Sequence, residues 1–278
     1  MRKVDLHMHT TASDGKYTPA EIVRMAWQVG LRYIAITDHD STEGIKAAQA
    51  AALKHEGMTV IPGVEINTDV PVGELHMLGY FVDYNSPELT ATLKRLRNSR
   101  VERAKTMIRK LKNVGIKIDY ERVEELAGDG AIGRPHVAQA MLEQGYVNSF
   151  KDAFLRFIGK GCPAYVDREK IEPADAVQLI LRAGGIPVMA HPFTCENFEQ
   201  RLGEWKKDGL MGLESYYNGY LPEQVDVLVK LAAEHGLITT GGSDFHGVES
   251  MNEPPLGTVD VPMSCFENLM SLKQQKTV

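Results

Sequence analysis

Cysteine is scarce in this 278-residue chain: Cys162, Cys195 and Cys265 lie far apart, with no C-x-x-C between them. An odd, sparse set provides no disulfide framework and predicts a reducing compartment. Long apolar runs are missing too. Nowhere do about 18 apolar residues follow one another, so no segment is expected to span a bilayer. The opening MRKVDLHMH passes straight into strand-like sequence, so a signal peptide of the usual form is not expected. Basic charge is in deficit, with 31 Lys and Arg against 37 Asp and Glu, a net charge of −6 and a pI near 5.9. That balance excludes a protein that coats nucleic acid indiscriminately. Internal repeats and low-complexity tracts are also absent. The simple expectation is a cytoplasmic protein with no membrane association and no obligate protein partner.

What remains is ordinary globular composition, 43% hydrophobic and 24% charged. The length suits one barrel-sized domain, or one domain with an insertion. Short apolar runs alternate with helical stretches along most of the chain. The expected strands are KVDLHMH, YIAITDH, TVIPGVEIN, HMLGYFV, IPVMAHP, GLESYY and LITTGGSDFH. Between the first two lies TPAEIVRMAWQVG, where Thr18 caps, Pro19 suits the first helical position, Glu21 completes a capping box and Gly30 stops the helix. EPADAVQLILRAGG and LPEQVDVLVKLAAEHG begin and end in the same way. This alternation predicts a parallel α/β sheet, open or closed into a barrel. It breaks between about Ser86 and Tyr165, where a long helix to Gly115 is followed by helical stretches around RPHVAQAMLEQG and SFKDAFLRFIGKG. The expected organisation is a barrel over 1–90 and 166–278, with an inserted helical cap over 91–165.

Alternate residues of a strand share a face, so Asp5, His7 and His9 in VDLHMHTTASDG point the same way. Two imidazoles so placed reach a common point, as a metal site requires. The other metal-capable side chains gather at strand ends as well. Asp14 follows the first strand, His39 ends the second, Glu65 the third and His191 the fifth. His76 belongs to the fourth strand, while Asp244 and His246 end the last. Barrel enzymes build their sites at the carboxyl ends of the strands. His55 and His235, by contrast, precede helix-ending glycines and complement the helix dipole. Strands and spacing together point to a polynuclear metal site. Imidazole mixed with carboxylate suits Mn, Fe or Zn better than Ca or Mg. Such ions lower the pKa of a bound water and stabilise charge on phosphoryl oxygens, so no serine or cysteine nucleophile is needed.

The motifs DLHMHTTASDG, AITDHD, GVEI, the His76 region, MAHP and GSDFHG resemble those of the PHP (polymerase and histidinol phosphatase) family. The resemblance covers the barrel portion, about 1–85 and 166–278. GRPHVA and GKGCPAYV resemble the branch that acts on nucleotides and short RNA. The fold thereby implied is a distorted seven-stranded (β/α) barrel with a small inserted helical cap. Three divalent ions are implied also: one on His7, His9, Glu65 and Asp244; one sharing Glu65 and adding His76 and His191; and one on Asp14, His39 and His246. Asp244 or His246 would supply the leaving-group proton, and Asp5 is a candidate to orient an imidazole. Cys195, four residues past His191, is expected to be a bystander.

The insertion speaks to substrate. Between Lys94 and Lys112 there are nine Lys and Arg and one Glu, mostly read as a solvated face. Arg97 and Arg100 fall instead within the apolar stripe of Leu93, Ala104, Ile108 and Leu111, which predicts an inward orientation and an anionic partner. Arg134 and His136 sit at an expected helix N-terminus, and glycines flank Lys160. Together they favour a substrate with several phosphates: a nucleoside 3',5'-bisphosphate or the end of a short oligoribonucleotide. The rival readings are a phosphomonoesterase of the histidinol-phosphate type, an amide hydrolase on the same metals, and a non-catalytic polymerase accessory.

Overall fold

A computed structural model describes residues 3–70, 73–128, 132–167, 169, 171–247 and 255–276. The chain divides into two compact units, one formed by Met1–Leu93 with Lys170–Val278 and one by Lys94–Glu169.

The first unit holds one seven-stranded sheet in sequence order: β1 (Lys3–Asp5), β2 (Leu31–Ile36), β3 (Thr59–Thr68), β4 (Leu75–Tyr80), β5 (Ile186–Met189), β6 (Gly212–Tyr217) and β7 (Ile238–Gly242). The sheet curls until β1 meets β7, forming a nearly closed barrel. Leu6 N donates to Gly241 O at 3.0 Å, Asp244 N to His7 O at 2.9 Å and His9 N to Phe245 O at 3.0 Å. A Cβ at Gly242 would collide with the backbone of His7, so the closing approach requires glycine there. Two apolar clusters, Met8 with Ile22, Ile34 and Ile36, and Leu6 with Ile61, Leu78 and Val188, anchor the strands.

Helices α1 (Pro19–Gln28), α2 (Ile45–Ala52), α7 (Pro173–Arg182), α8 (Phe198–Lys207), α9 (Pro222–Glu234) and α10 (Met263–Gln275) complete this unit. The capping box of α1 is formed: Glu21 N donates to Thr18 Oγ1, and Thr18 N donates back to Glu21 Oε2 at 2.9 Å.

One expectation is corrected. The sheet is mixed, not parallel, because β4 runs antiparallel to both β3 and β5. Only residues 69–74 join β3 to β4, too few for the crossover that parallel strands need. The reversal matters chemically: His76, near the start of β4, pairs with Asn67 near the end of β3. It therefore lies at the same barrel end as the histidines that follow the parallel strands.

The second unit carries its own core, with Met107, Leu111, Val123, Val137, Met141 and Ile158 buried together. Its helices are α3 (Pro87–Asn113), which begins in the first unit, α4 (Tyr120–Ala127), α5 (Arg134–Glu143) and α6 (Phe150–Ala153), which continues into a π-helical turn at Phe154–Ile158. The sequence reading missed α4. No helix among the described residues is long and apolar enough to cross a membrane.

Candidate metal centre

The nine candidate donors converge on one end of the barrel. His7 and His9 lie just past β1, His39 past β2, His191 past β5, and Asp244 and His246 past β7, so the strands are shorter than the sequence suggested. Glu65 lies within β3 and is joined to His39 by an isolated bridge. Three of the turning residues take a positive φ without being glycine: Asp40 (49°), His191 (27°) and Asp244 (53°). Such backbone costs of order 1–3 kcal/mol per residue and persists where the surroundings over-determine it.

Glu65 is the hub. Its Oε1 lies 2.8 Å from His76 Nδ1 and 3.0 Å from His191 Nε2. Its Oε2 lies 2.9 Å from His39 Nδ1, 3.3 Å from His9 Nε2 and 3.4 Å from His7 Nε2. Asp244 Oδ1 closes a four-donor set, 3.2 Å from His7 Nε2 and 2.9 Å from His9 Nε2. Among the described residues, His7 Nε2, His9 Nε2, Glu65 Oε2 and Asp244 Oδ1 are buried with no hydrogen bond of acceptable geometry. Buried polar atoms are normally satisfied, so four orphans facing one point indicate a missing partner. A tetrahedral ion with bonds of about 2.1 Å holds its ligands about 3.4 Å apart. The observed separations of 2.9–3.4 Å fit that requirement.

Two further groups have donor atoms close enough for an ion: His9, Asp14, His39 and His246, and His39, Glu65 and His76. In the first, Asp14 Oδ1 lies 3.5 Å from His246 Nε2 and 3.7 Å from His9 Nδ1, and its Oδ2 lies 3.9 Å from His39 Nε2. Burial opposes charge on His9, but the carboxylates of Asp244 and Glu65 outweigh it and raise its pKa to about 10. Burial pushes His76 down to about 4, with the neighbouring His191 and His39 adding to the effect. Glu65 stays well below the usual carboxylate range although burial opposes this, because His39, His7 and His76 surround it. The hub is thus anionic and presented to a cation.

Several residues the sequence reading passed over hold this arrangement. Glu214, buried on β6, accepts His7 Nδ1–H on Oε1 at 2.9 Å and the His191 backbone N–H on Oε2 at 2.7 Å. Fixing the His7 proton on Nδ1 leaves Nε2 bare as a ligand. Asp38 accepts from Thr10 N at 2.7 Å, Thr10 Oγ1 at 2.8 Å and Ser13 Oγ at 2.7 Å, pinning the loop between His9 and Asp14. Tyr217 donates to Asp244 Oδ2 at 2.8 Å, which turns Oδ1 toward the histidines. Burial and the charges of Asp244 and Glu214 push the Tyr217 pKa up, so the donor proton is kept. No local pattern in GLESYY singles out Glu214, because polar and apolar residues do not alternate there and the first four positions are all buried.

Asp5 does not orient an imidazole. Its Oδ1 accepts the backbone N–H groups of His7 at 3.3 Å and Ser243 at 2.9 Å, tying β1 to the segment that carries Asp244. Burial raises its pKa to about 6. Cys195 is buried, its Sγ donating weakly to Glu196 O at 3.7 Å, and it belongs to none of the three donor groups. Cys195→Ser is therefore expected to leave metal stoichiometry and turnover unchanged. Elemental analysis beside an activity assay checks this, and lost metal would make the thiol a ligand.

Arg97, Arg100, Arg134, His136 and Lys160 all lie in the second unit. Arg100 is 8% exposed, Arg97 and Arg134 are half-buried, and Lys160 is exposed. Arg134 opens α5 with its guanidinium 5.2 Å from the Phe154 ring. His136 Nδ1 accepts the Gly133 N–H at 3.0 Å, which fixes its proton on Nε2. Arg103, assigned to the solvated face, is instead drawn in: its Nε donates to Val166 O at 2.7 Å and its guanidinium lies 5.8 Å from the Tyr165 ring. Burial, with the charges of Arg134 and Arg100, lowers its pKa to about 10. Three arginines are thus close enough to feel one another.

An imidazole and carboxylate cluster at one end of an α/β barrel is the donor set expected of a metal-dependent enzyme. Residues 5–151 match the PHP domain model, and the chain belongs to the PHP family. Its similarity to named proteins extends nearly end to end. It is 36% identical over 249 residues to a 5'-3' exoribonuclease of Haemophilus influenzae, covering 88% of this chain and 90% of that one. It is 31% identical over 270 residues to a 3',5'-nucleoside bisphosphate phosphatase of Chromobacterium violaceum, covering 95% of this chain and 94% of the relative. The solved structure of a Chromobacterium violaceum amidohydrolase with bound sulfate and no metal matches with a TM-score of 0.84 and 30% identity, over 97% of this chain and 96% of that one. The protein is a metal-dependent hydrolase of phosphate esters.

Proposed function

We propose that this enzyme hydrolyses nucleotide phosphate esters, acting on nucleoside 3',5'-bisphosphates or the end of short oligoribonucleotides. The observation that carries the hydrolytic reading is the Glu65 hub, whose two oxygens each face a separate set of imidazoles. That geometry suits a carboxylate bridging two ions. His7, His9 and Asp244 would complete the first site, His76 and His191 the second, while Asp14, His39 and His246 would hold a third. Mn, Fe or Zn suits these donors. When bound, such ions supply a water-derived nucleophile near neutral pH and neutralise charge on the phosphoryl oxygens. The chain's own residues do the rest. Glu214 and Tyr217 orient donors, and His246 would give the leaving oxygen its proton; Asp244, held ionised by the surrounding histidines and already accepting from Tyr217, has none to give. A cytoplasmic location accords with the three unpaired thiols.

The nucleotide part of the reading rests on the relatives' activities and on the arginines of the second unit. Arg100, Arg103 and Arg134 would take a phosphate remote from the scissile bond, joined by Arg97, His136 through Nε2, and Lys160. A charge-assisted contact of this kind is worth about 1.5–3 kcal/mol. Arg134 is half-buried, which places it at the lower end. Arg134→Ala is expected to lower kcat/KM about tenfold for a nucleoside bisphosphate, with little change for p-nitrophenyl phosphate. Equal losses on both would remove the remote-phosphate role.

The whole reading is tested by metal analysis with a panel of a nucleoside 3',5'-bisphosphate, a short oligoribonucleotide, histidinol phosphate and an uncharged amide. The highest kcat/KM is expected on the first two. A preference for histidinol phosphate or the amide would overturn it.

A further inference from the structure

One exposed aromatic stands beside the metal centre and is not used by it. Among the described residues, Phe193 is the one aromatic in the set of exposed large hydrophobic side chains, at 38% exposure. It follows His191 by two residues, in a short 3-10 turn (Pro192–Thr194) that begins where His191 takes a φ of 27°. From His191 the ring centroids step outward, 5.5 Å to Tyr217, 5.1 Å to Tyr220 and 5.2 Å to Phe193. Phe198 braces the far side at 5.8 Å.

The angles matter as much as the distances. Tyr220 and Phe198 stand at 74° and 87° to Phe193, so both hold it edge-to-face and neither stacks parallel on it. The Phe193 backbone N–H also donates to the Tyr220 hydroxyl oxygen at 3.4 Å, tying the turn to the loop after β6. The ring is therefore held by two neighbours, neither parallel to it, and remains exposed in part. An exposed aromatic costs solvation and is useful where it meets a flat apolar partner.

We propose that Phe193, braced by Tyr220 and Phe198, is the stacking platform for a nucleobase of the substrate. This rests on the nucleotide reading above and adds to it how the base is held. Stacking needs only a π-face, so such a platform accepts any base and favours the larger purines. Tyr217, bonded to Asp244, links the platform to the donors at the reacting end.

The test compares adenosine 3',5'-bisphosphate with the same sugar bisphosphate lacking its base. Phe193→Ala is expected to raise KM for the nucleotide about 5- to 20-fold, the lower part of the range for losing one stacked base. Its kcat, and the KM for the base-free compound, should hold. Phe193→Trp should restore the nucleotide KM. Phe193→Leu, which keeps apolar bulk without a π-face, should not. The Kd of adenosine 5'-monophosphate, measured by calorimetry, should follow the same order. Equal losses on both compounds, or full rescue by leucine, would overturn the platform and leave a packing role. A wild-type enzyme that turned over the base-free compound but no nucleotide would overturn the nucleotide reading, and the platform with it. An unchanged nucleotide KM in Phe193→Ala would overturn the platform alone.

Discussion

Glu65→Gln is expected to abolish turnover, with a fall in kcat on the order of a thousandfold or more, and to strip metal from the protein. The magnitude follows from losing the several kcal/mol of charge stabilisation that bound ions give a phosphoryl transition state. Two features of Glu65 make the effect large. It is fully buried, so no solvent replaces the lost charge, and both oxygens are engaged, each by a different set of imidazoles. A glutamine offers one carbonyl oxygen and an NH2 that repels cations, so one of the two sites loses its donor whichever way the amide turns. Elemental analysis and steady-state kinetics with metal in excess check this. Near-normal turnover would mean Glu65 bridges nothing.

Glu214→Gln should act one step further out, through His7. The carboxylate receives two donors, His7 Nδ1–H and His191 N–H, one on each oxygen. With glutamine, an NH2 must face one of them. Facing the ring, it moves the His7 proton to Nε2, the nitrogen that should bind metal. Facing the backbone, it sets two donors against each other in a buried place, at a cost of about 1–3 kcal/mol. Residues that orient metal-bound histidines typically change metal affinity or activity about 10- to 100-fold, and a loss near the upper end is expected here. Because the ligands themselves survive, raising the metal concentration should recover much of the rate, which it should not do for Glu65→Gln. Wild-type metal affinity in Glu214→Gln would show that His7 needs no such partner.

The histidine-rich motifs were legible because each is local. His7 with His9, and Asp244 with His246, are i, i+2 pairs in strand-like sequence, and His191 precedes a proline that ends the strand. Capping at Thr18 and Glu21 was legible for the same reason, since its hydrogen bonds close within four residues. Glu214 was not legible. One glutamate in a strand of apolar and aromatic residues gains meaning only when β6 lies beside β5, so that one carboxylate meets both His7 and His191 N. Arg103 was missed because charge counting along α3 cannot tell which arginine the Val166 carbonyl will draw in.

By itself, then, the sequence determined the order of the seven strands, several of the helices, and the donor types that mark a metal-dependent phosphoester hydrolase. These are set by short-range propensity and by side-chain chemistry. Tertiary structure alone decided that β4 runs backward and brings His76 beside Asn67, that β7 closes on β1 through Gly242, and that Glu65 stands among five imidazoles. The reason is physical. Each of these depends on strands far apart in the chain sharing hydrogen bonds, and the direction and register of such pairing follow from loop length and packing over the whole barrel, not from any local run of residues.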